Sequence, residues 1–206
     1  KEPIADMDNK HKKIDATNQV LMPGLINAHT HCSMSLLRNY GNDTNLQTWL
    51  NEYVWPLEAV LTAEDIKIGA ELNIAEMLST GTTTFVDMYY EMDSVAEAVD
   101  EMGIRAVLTR GMASPDPDRI RIREQRDLYN KWHGKANDRI RVMIGPHAIY
   151  TNTIDGLKEM VELSKECNMG FNIHISETKK EVDDCVEKYG MTPVEVFDSV
   201  GMLDER

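Results

Sequence analysis

The sequence predicts an α/β fold in which short strands alternate with amphipathic helices around a parallel sheet, as in part of a (β/α) barrel. Three observations point there. β-Branched runs recur five times, and after each the chain passes through a loop into an amphipathic helix. Histidine, arginine, histidine, and histidine with glutamate stand at the C-terminal ends of runs one, three, four and five. That is the rim on which such barrels carry their reactive groups. No G-x-G-x-x-G follows the first run, so a dinucleotide-binding sheet has no support.

The individual elements follow from period and punctuation. The first strand, 20–27, passes through Pro23-Gly24 and runs into His29 and His31. A helix over 63–79 is expected next, with Thr62 as N-cap and Gly81 just past its end. Its Ile66, Ala70, Ile74, Met77 and Leu78 are expected to share a sheet-covering face. The second strand is 82–88, followed by a helix over 94–102 that ends at Gly103. "IRAVLTRG" is the third strand, ending at Arg110, and a helix over 120–132 leads to the fourth, "RIRVMIGPH", ending at His147. A helix over 154–169 feeds the fifth, "GFNIHISE", which carries His174 and Glu177. The last helices are 179–189 and 193–199. The latter carries Thr192, Pro193 and Glu195 as N-cap, N1 and N3, a capping-box arrangement.

Bulk composition sets limits. The 206 residues are 42% apolar, enough for a core. No apolar stretch approaches the roughly 20 residues that span a bilayer, and no signal-peptide pattern opens the chain. A net charge of −13 argues against a nucleic-acid partner. Cys32, Cys167 and Cys185 are widely spaced and odd in number, and read as reduced thiols of a cytoplasmic protein.

Residues two apart in a strand point to one side, so His29 and His31 project together and can bind one divalent ion. Imidazole favours zinc or iron(II). With His174 from another strand end, they make a three-ligand shell with room for water. Near such an ion, Glu177 is placed to move protons between water and substrate. Taken singly, the residues have plainer readings: a core histidine beside a solvated one for the pair, and an ordinary helix N-terminal carboxylate for Glu177.

"LMPGLINAHTH", "SLLRNYGND", "WLNEYVWPLE", "VLTRG", "GPHAIY" and "NIHISET" occur in order. Together they resemble the amidohydrolase superfamily, in particular its branch of 5-methylthioadenosine/S-adenosylhomocysteine deaminases and chlorohydrolase-like proteins. The resemblance implies a metal-dependent-hydrolase TIM barrel with about the first five βα units over 20–206, and residues 1–19 as a remnant of a small β-sandwich. It implies His29, His31 and His174 as ligands of one zinc per subunit, with iron or manganese as alternatives. Glu177 corresponds to the acid that protonates the ring nitrogen beside the attacked carbon. Glu58 corresponds to a carboxylate for ribose hydroxyls, Arg110 and Arg121 to arginines for a carboxylate tail, and His147 to a substrate-contacting histidine.

The implied reaction is hydrolytic deamination of an adenine ring in a small-molecule nucleoside, giving an inosine-type product and ammonia. Guanine or cytosine deamination, triazine dechlorination and a non-catalytic scaffold are the rival readings. The family pattern continues with a sixth strand carrying a further histidine and an eighth carrying an aspartate, which the 206 residues do not include. Five strands of a closed eight-stranded barrel leave unpaired edges. The expectation is therefore a fragment inactive alone, or a homo-oligomer that covers those edges.

Overall fold

In the structure, a computed structural model, residues 14–204 are described. Five strands form one all-parallel sheet in the order β1 (Leu25–Thr30), β2 (Thr82–Tyr89), β3 (Arg105–Met112), β4 (Ile140–Val142), with β5 (Gly145–Pro146) also pairing with β3. Helices Ala63–Ser79, Met92–Met102 and Ile120–Trp132 connect them. The expected remnant at 1–19 falls largely outside the described residues, and 14–19 contain no strand.

Helix Ala63–Ser79 begins where the sequence places it. The Thr62 hydroxyl accepts from the Asp65 amide while Asp65 accepts from the Thr62 amide, so two otherwise orphaned donors are satisfied. Ile66, Ala70, Ile74 and Met77 are buried, whereas Leu78 is exposed, contrary to expectation. One residue beyond Met77, a helical step of about 100° carries it off the sheet-facing stripe. Helix Met92–Met102 starts two residues earlier than expected and ends at Gly103, whose φ of 81° suits a residue without Cβ. Helices Ile120–Trp132, Lys179–Tyr189 and Pro193–Ser199 have the expected bounds, and Ile154–Cys167 ends two residues early at Asn168.

β2 and β3 pair without interruption from Thr84↔Arg105 to Tyr89↔Arg110. Phe85, Leu108 and Met112 are fully buried between the sheet and its helices. The first strand differs from the reading over 20–27. It starts at Leu25, and its pairing with β2 shifts register twice. Residues 20–24 have no neighbour to bond as a ladder, and a strand exists only where its backbone is paired.

The fourth run is also not one strand. Val142 closes pairing with β3, Met143 donates its amide to Leu108 O (3.1 Å), and Ile144 then turns to the other side. Ile144 donates to Gly170 O and accepts from Asn172 N, each at 2.9 Å. β5 then returns to β3, close enough that a Cβ on Gly145 would lie 2.6 Å from Arg110 O. The expected fifth strand reduces to a single bridge, Ile144↔Phe171, with His174 N donating to His147 O at 3.1 Å. Among the described residues nothing pairs with its far side, so the run 170–177 lacks the second ladder that would hold it as a strand.

Candidate metal centre and adjoining cavity

Two segments, the end of β1 and the run after β5, bring three imidazoles together. The Nε2 atoms of His29 and His31 lie 3.4 Å apart, and those of His31 and His174 lie 3.3 Å apart. One nitrogen from each of the three rings falls within a 4.8 Å group. The first pair is close because the alternation of β1 puts both rings on one side. His174 joins them because the bridge at Phe171 and the bond to His147 O carry its segment alongside β5.

The protonation pattern of these rings matters. His31 Nδ1–H donates to Met88 O (2.7 Å), and His174 Nδ1–H donates to His147 O (2.9 Å). A carbonyl can only accept, so Nδ1 carries a proton in both rings, and in the neutral form of each the Nε2 lone pair is bare. Two facing Nε2 acceptors cannot hydrogen-bond each other. Their convergence fits a cation, with the carbonyls orienting the rings behind it. Burial, supported by the nearby His174 and His29 rings and opposed by the Met88 bond, pushes His31 down to about 4. It is therefore neutral at physiological pH, as a ligand must be.

The segment carrying this pair is fixed from below. Asp87, wholly buried on β2, accepts from the Thr30 hydroxyl (2.7 Å) and the Cys32 amide (2.6 Å), gripping the chain on both sides of His31. Burial pushes its carboxyl up to about 7 against those two bonds, and its Oδ2 has no partner. Beyond Cys32, Ser33 and Ser35 donate to Ile66 O and Gly69 O of the neighbouring helix. A Cβ on Gly69 would meet Ser33 O at 2.4 Å, so the close approach needs glycine.

A cavity of about 450 Å³ opens beside His31, and Glu58, Arg110, Arg121 and His147 all line it. Glu58 sits at the end of the helical stretch 46–58. Tyr89 donates its hydroxyl to Glu58 Oε1 (2.7 Å), and Tyr90 donates to Glu58 O (2.9 Å). Glu58 Oε2 has no hydrogen-bond partner among the described residues. Burial raises the Glu58 carboxyl above its ordinary range, and the Tyr89 bond opposes that shift. His147 is pushed down to about 4 by burial and by the His174 and His31 rings. Its Nδ1 lies 3.1 Å from the Thr151 hydroxyl.

Arg110 and Arg121 reach the cavity under different restraints. Arg110 Nε donates to Glu124 at 2.7 Å, and Nη1 donates to Gly111 O. Arg110 is thus an ion-paired residue as well as part of the cavity wall. Arg121 is only 3.7 Å from Asp116, whose carboxylate is occupied by the amides of Ile120, Arg121 and Ile122.

Glu177 is not brought to the cluster. It is exposed on the turn after His174, lines neither the large cavity nor the small one at the imidazoles, and lies near Tyr150. The reason is local: the turn passes through Ser176 at φ 54°, and the buried Glu181 carboxylate accepts from the Ser176 and Glu177 amides at 3.0 and 2.8 Å. Sequence reasoning missed Glu181, Tyr89 and Asp87. Glu181, the third residue of a Thr178-capped helix, carried a usable signal, because that position favours a carboxylate reaching back.

Parallel strands with imidazoles converging at their C-terminal rim define the class: a partial (β/α) barrel with a candidate metal centre. Within that class, the chain belongs to the amidohydrolase family, a metal-dependent family that residues 20–206 match. It is 52% identical over 194 residues to a 5-methylthioadenosine/S-adenosylhomocysteine deaminase of Thermoanaerobacter pseudethanolicus, covering 93% of this chain and 45% of that protein. It is 46% identical over 201 residues to a 5′-deoxyadenosine deaminase of Methanobrevibacter smithii, covering 96% and 46%. Among solved structures, an adenosine deaminase from Xanthomonas campestris with bound zinc superposes with a TM-score of 0.83 at 33% identity, covering 90% of this chain and 43% of that one. The chain therefore spans about half the length of the relatives it matches. Among the described residues, no helix is long and apolar enough to cross a membrane.

Proposed function

We propose that this chain forms part of an aminohydrolase that deaminates the adenine ring of a 5′-substituted nucleoside, with His29, His31 and His174 holding one zinc ion. The observation that carries the reading is the pair of bare Nε2 atoms, each backed by an Nδ1–H to carbonyl bond, facing the same point. The relatives' names support the substrate class, as does the 33%-identical zinc-bound adenosine deaminase. A divalent cation held there would lower the pKa of water to about 7 and so supply hydroxide at neutral pH for attack on C6.

The chain's own residues supply the rest. Glu58, with Oε1 held by Tyr89, presents Oε2 to the ribose hydroxyls. A carboxylate of raised proton affinity is a strong acceptor for a neutral diol. Neutral His147, which lines the cavity and packs against the His174 ring, hydrogen-bonds the purine. Arg121 and Arg110 receive the carboxylate of an amino-acid tail. Glu177 serves as the acid for the ring nitrogen only after its turn swings inward, a movement that binding of the base would drive. Residues 1–19 are proposed as part of a small β-sandwich beside the barrel, and the location as cytoplasmic.

Catalysis in this reading needs the free edge of β1 to be covered, by further chain or by a second copy. Ammonia release tests it, in the complete enzyme, with 5′-methylthioadenosine, S-adenosylhomocysteine and adenosine. Turnover of at least one is expected, and Glu58→Gln should raise KM about tenfold for nucleosides while leaving free adenine unaffected. The 206-residue chain alone should be nearly inactive. Absence of turnover in the complete enzyme, or an unchanged KM for E58Q, would overturn the assignment.

A further inference from the structure

Arg110 stands on a wall shared by two cavities. The larger, about 450 Å³, is the one assigned above to the nucleoside. The second, about 240 Å³, lies behind it and is lined by Glu124, Asp127 and Lys131 as well as by Arg110. Glu124 lines only the second, and it takes the Arg110 Nε at 2.7 Å. The Arg110 side chain is 17% exposed and that of Glu124 45%. The backbone behind Arg110 is fixed as well. Its amide donates to the fully buried Gln125 side chain at 3.1 Å, and the Gln125 amide donates onward to Met143 O at 3.0 Å. The guanidinium is therefore the movable part, held by the Glu124 carboxylate on the far side of the wall and by the neighbouring Gly111 O.

Resting on the aminohydrolase reading, we propose that Glu124 is a specificity-determining residue of this site: it holds the Arg110 guanidinium against the second cavity and sets how readily an anionic tail can claim it. A substrate ending in a carboxylate must compete with Glu124 for the charge and orientation of the Arg110 guanidinium, whose Nε Glu124 already takes. A neutral 5′ substituent faces no such competition and gains nothing from the guanidinium. Arg121 makes no comparable demand, because its nearest carboxylate is 3.7 Å away and already occupied by three backbone amides. An anionic tail meets Arg121 first, and Glu124 decides whether Arg110 joins. The residue thus tunes the balance between neutral thioether nucleosides and those bearing an amino-acid tail without touching either.

The test compares Glu124→Gln with the unsubstituted complete enzyme on S-adenosylhomocysteine and 5′-methylthioadenosine. Glutamine keeps an acceptor for Nε and removes the charge. The ratio of kcat/KM for the anionic over the neutral substrate should rise about fivefold, through KM of the anionic one, with the neutral substrate within about twofold. Asp127→Asn removes a charge from the same cavity without freeing Arg110 and should leave the ratio unchanged. Adding Arg110→Ala to E124Q should abolish the gain. An unchanged or lowered ratio in E124Q, or an equal rise in D127N, overturns the proposal while ordinary turnover leaves the deaminase reading standing. If the unsubstituted enzyme turns over neither substrate, both fall together.

Discussion

β3 and β1 are written in similar residues and end in similar places, yet they live differently. Ala106, Leu108 and Met112 of β3 are buried, because β2 lies on one side, β4 and β5 on the other, and helices cover the sheet. In β1, Leu25 and Ile26 remain 52% and 69% exposed, because among the described residues only β2 pairs with it. Burial of a strand is a property of its neighbours, not of its composition. The candidate metal centre nonetheless depends on the exposed strand. His29 and His31 hold position because Asp87, Ser33 and Ser35 tie the segment after β1 to β2 and the helix beyond.

That contrast can be pressed experimentally. Phe85→Ala on β2, a fully buried position, should cost about 3–5 kcal/mol in denaturant unfolding. Gly145→Ala, which forces a Cβ to within 2.6 Å of Arg110 O where β5 meets β3, should cost about 2 kcal/mol and shift the Arg110 amide resonance. Gln125→Leu strips partners from Arg110 N and Met143 O and should cost about 1–3 kcal/mol.

Acid provides the next test. His147 binds protons less readily folded, at about 4, than unfolded, near 6.5. The unfolded state therefore takes up more protons, so stability is full above 6.5 and lost as pH falls towards 4. His147→Gln should flatten that acid limb by on the order of 2 kcal/mol at pH 4. Smallest of all, Ile26→Ala on β1 should change stability by less than about 0.5 kcal/mol in the 206-residue chain. A large loss there would mean that β1 is already covered, by self-association.

Much of this was legible before any coordinates. Caps and glycines mark helix ends locally, so the Thr62 cap and the Thr192–Glu195 box could be read directly. The 29/31 pair could be read from strand alternation. What failed required knowledge of partners. The run through Arg139–His147 looks like one strand, but its middle changes neighbours at Ile144, a choice made by Gly170 and Asn172 far along the chain. "GFNIHISE" has strand character, but among the described residues only one side of it is paired. The position of Glu177 depends on Glu181 capturing two amides, and the state of Arg110 depends on Glu124, a contact between elements that periodicity does not encode.

The central claim is that imidazoles from β1 and from the segment after β5 act as one cation site. Zinc titration of the 206-residue chain, followed through its histidine ring resonances by NMR, tests it most directly. The account predicts that His29, His31 and His174 shift together with a single saturation at one equivalent, while His133, whose Nδ1 is taken by the Val142 amide, stays put. His174→Ala should then abolish the shared response of His29 and His31. Independent responses from the three rings, or no response from His174, would contradict it.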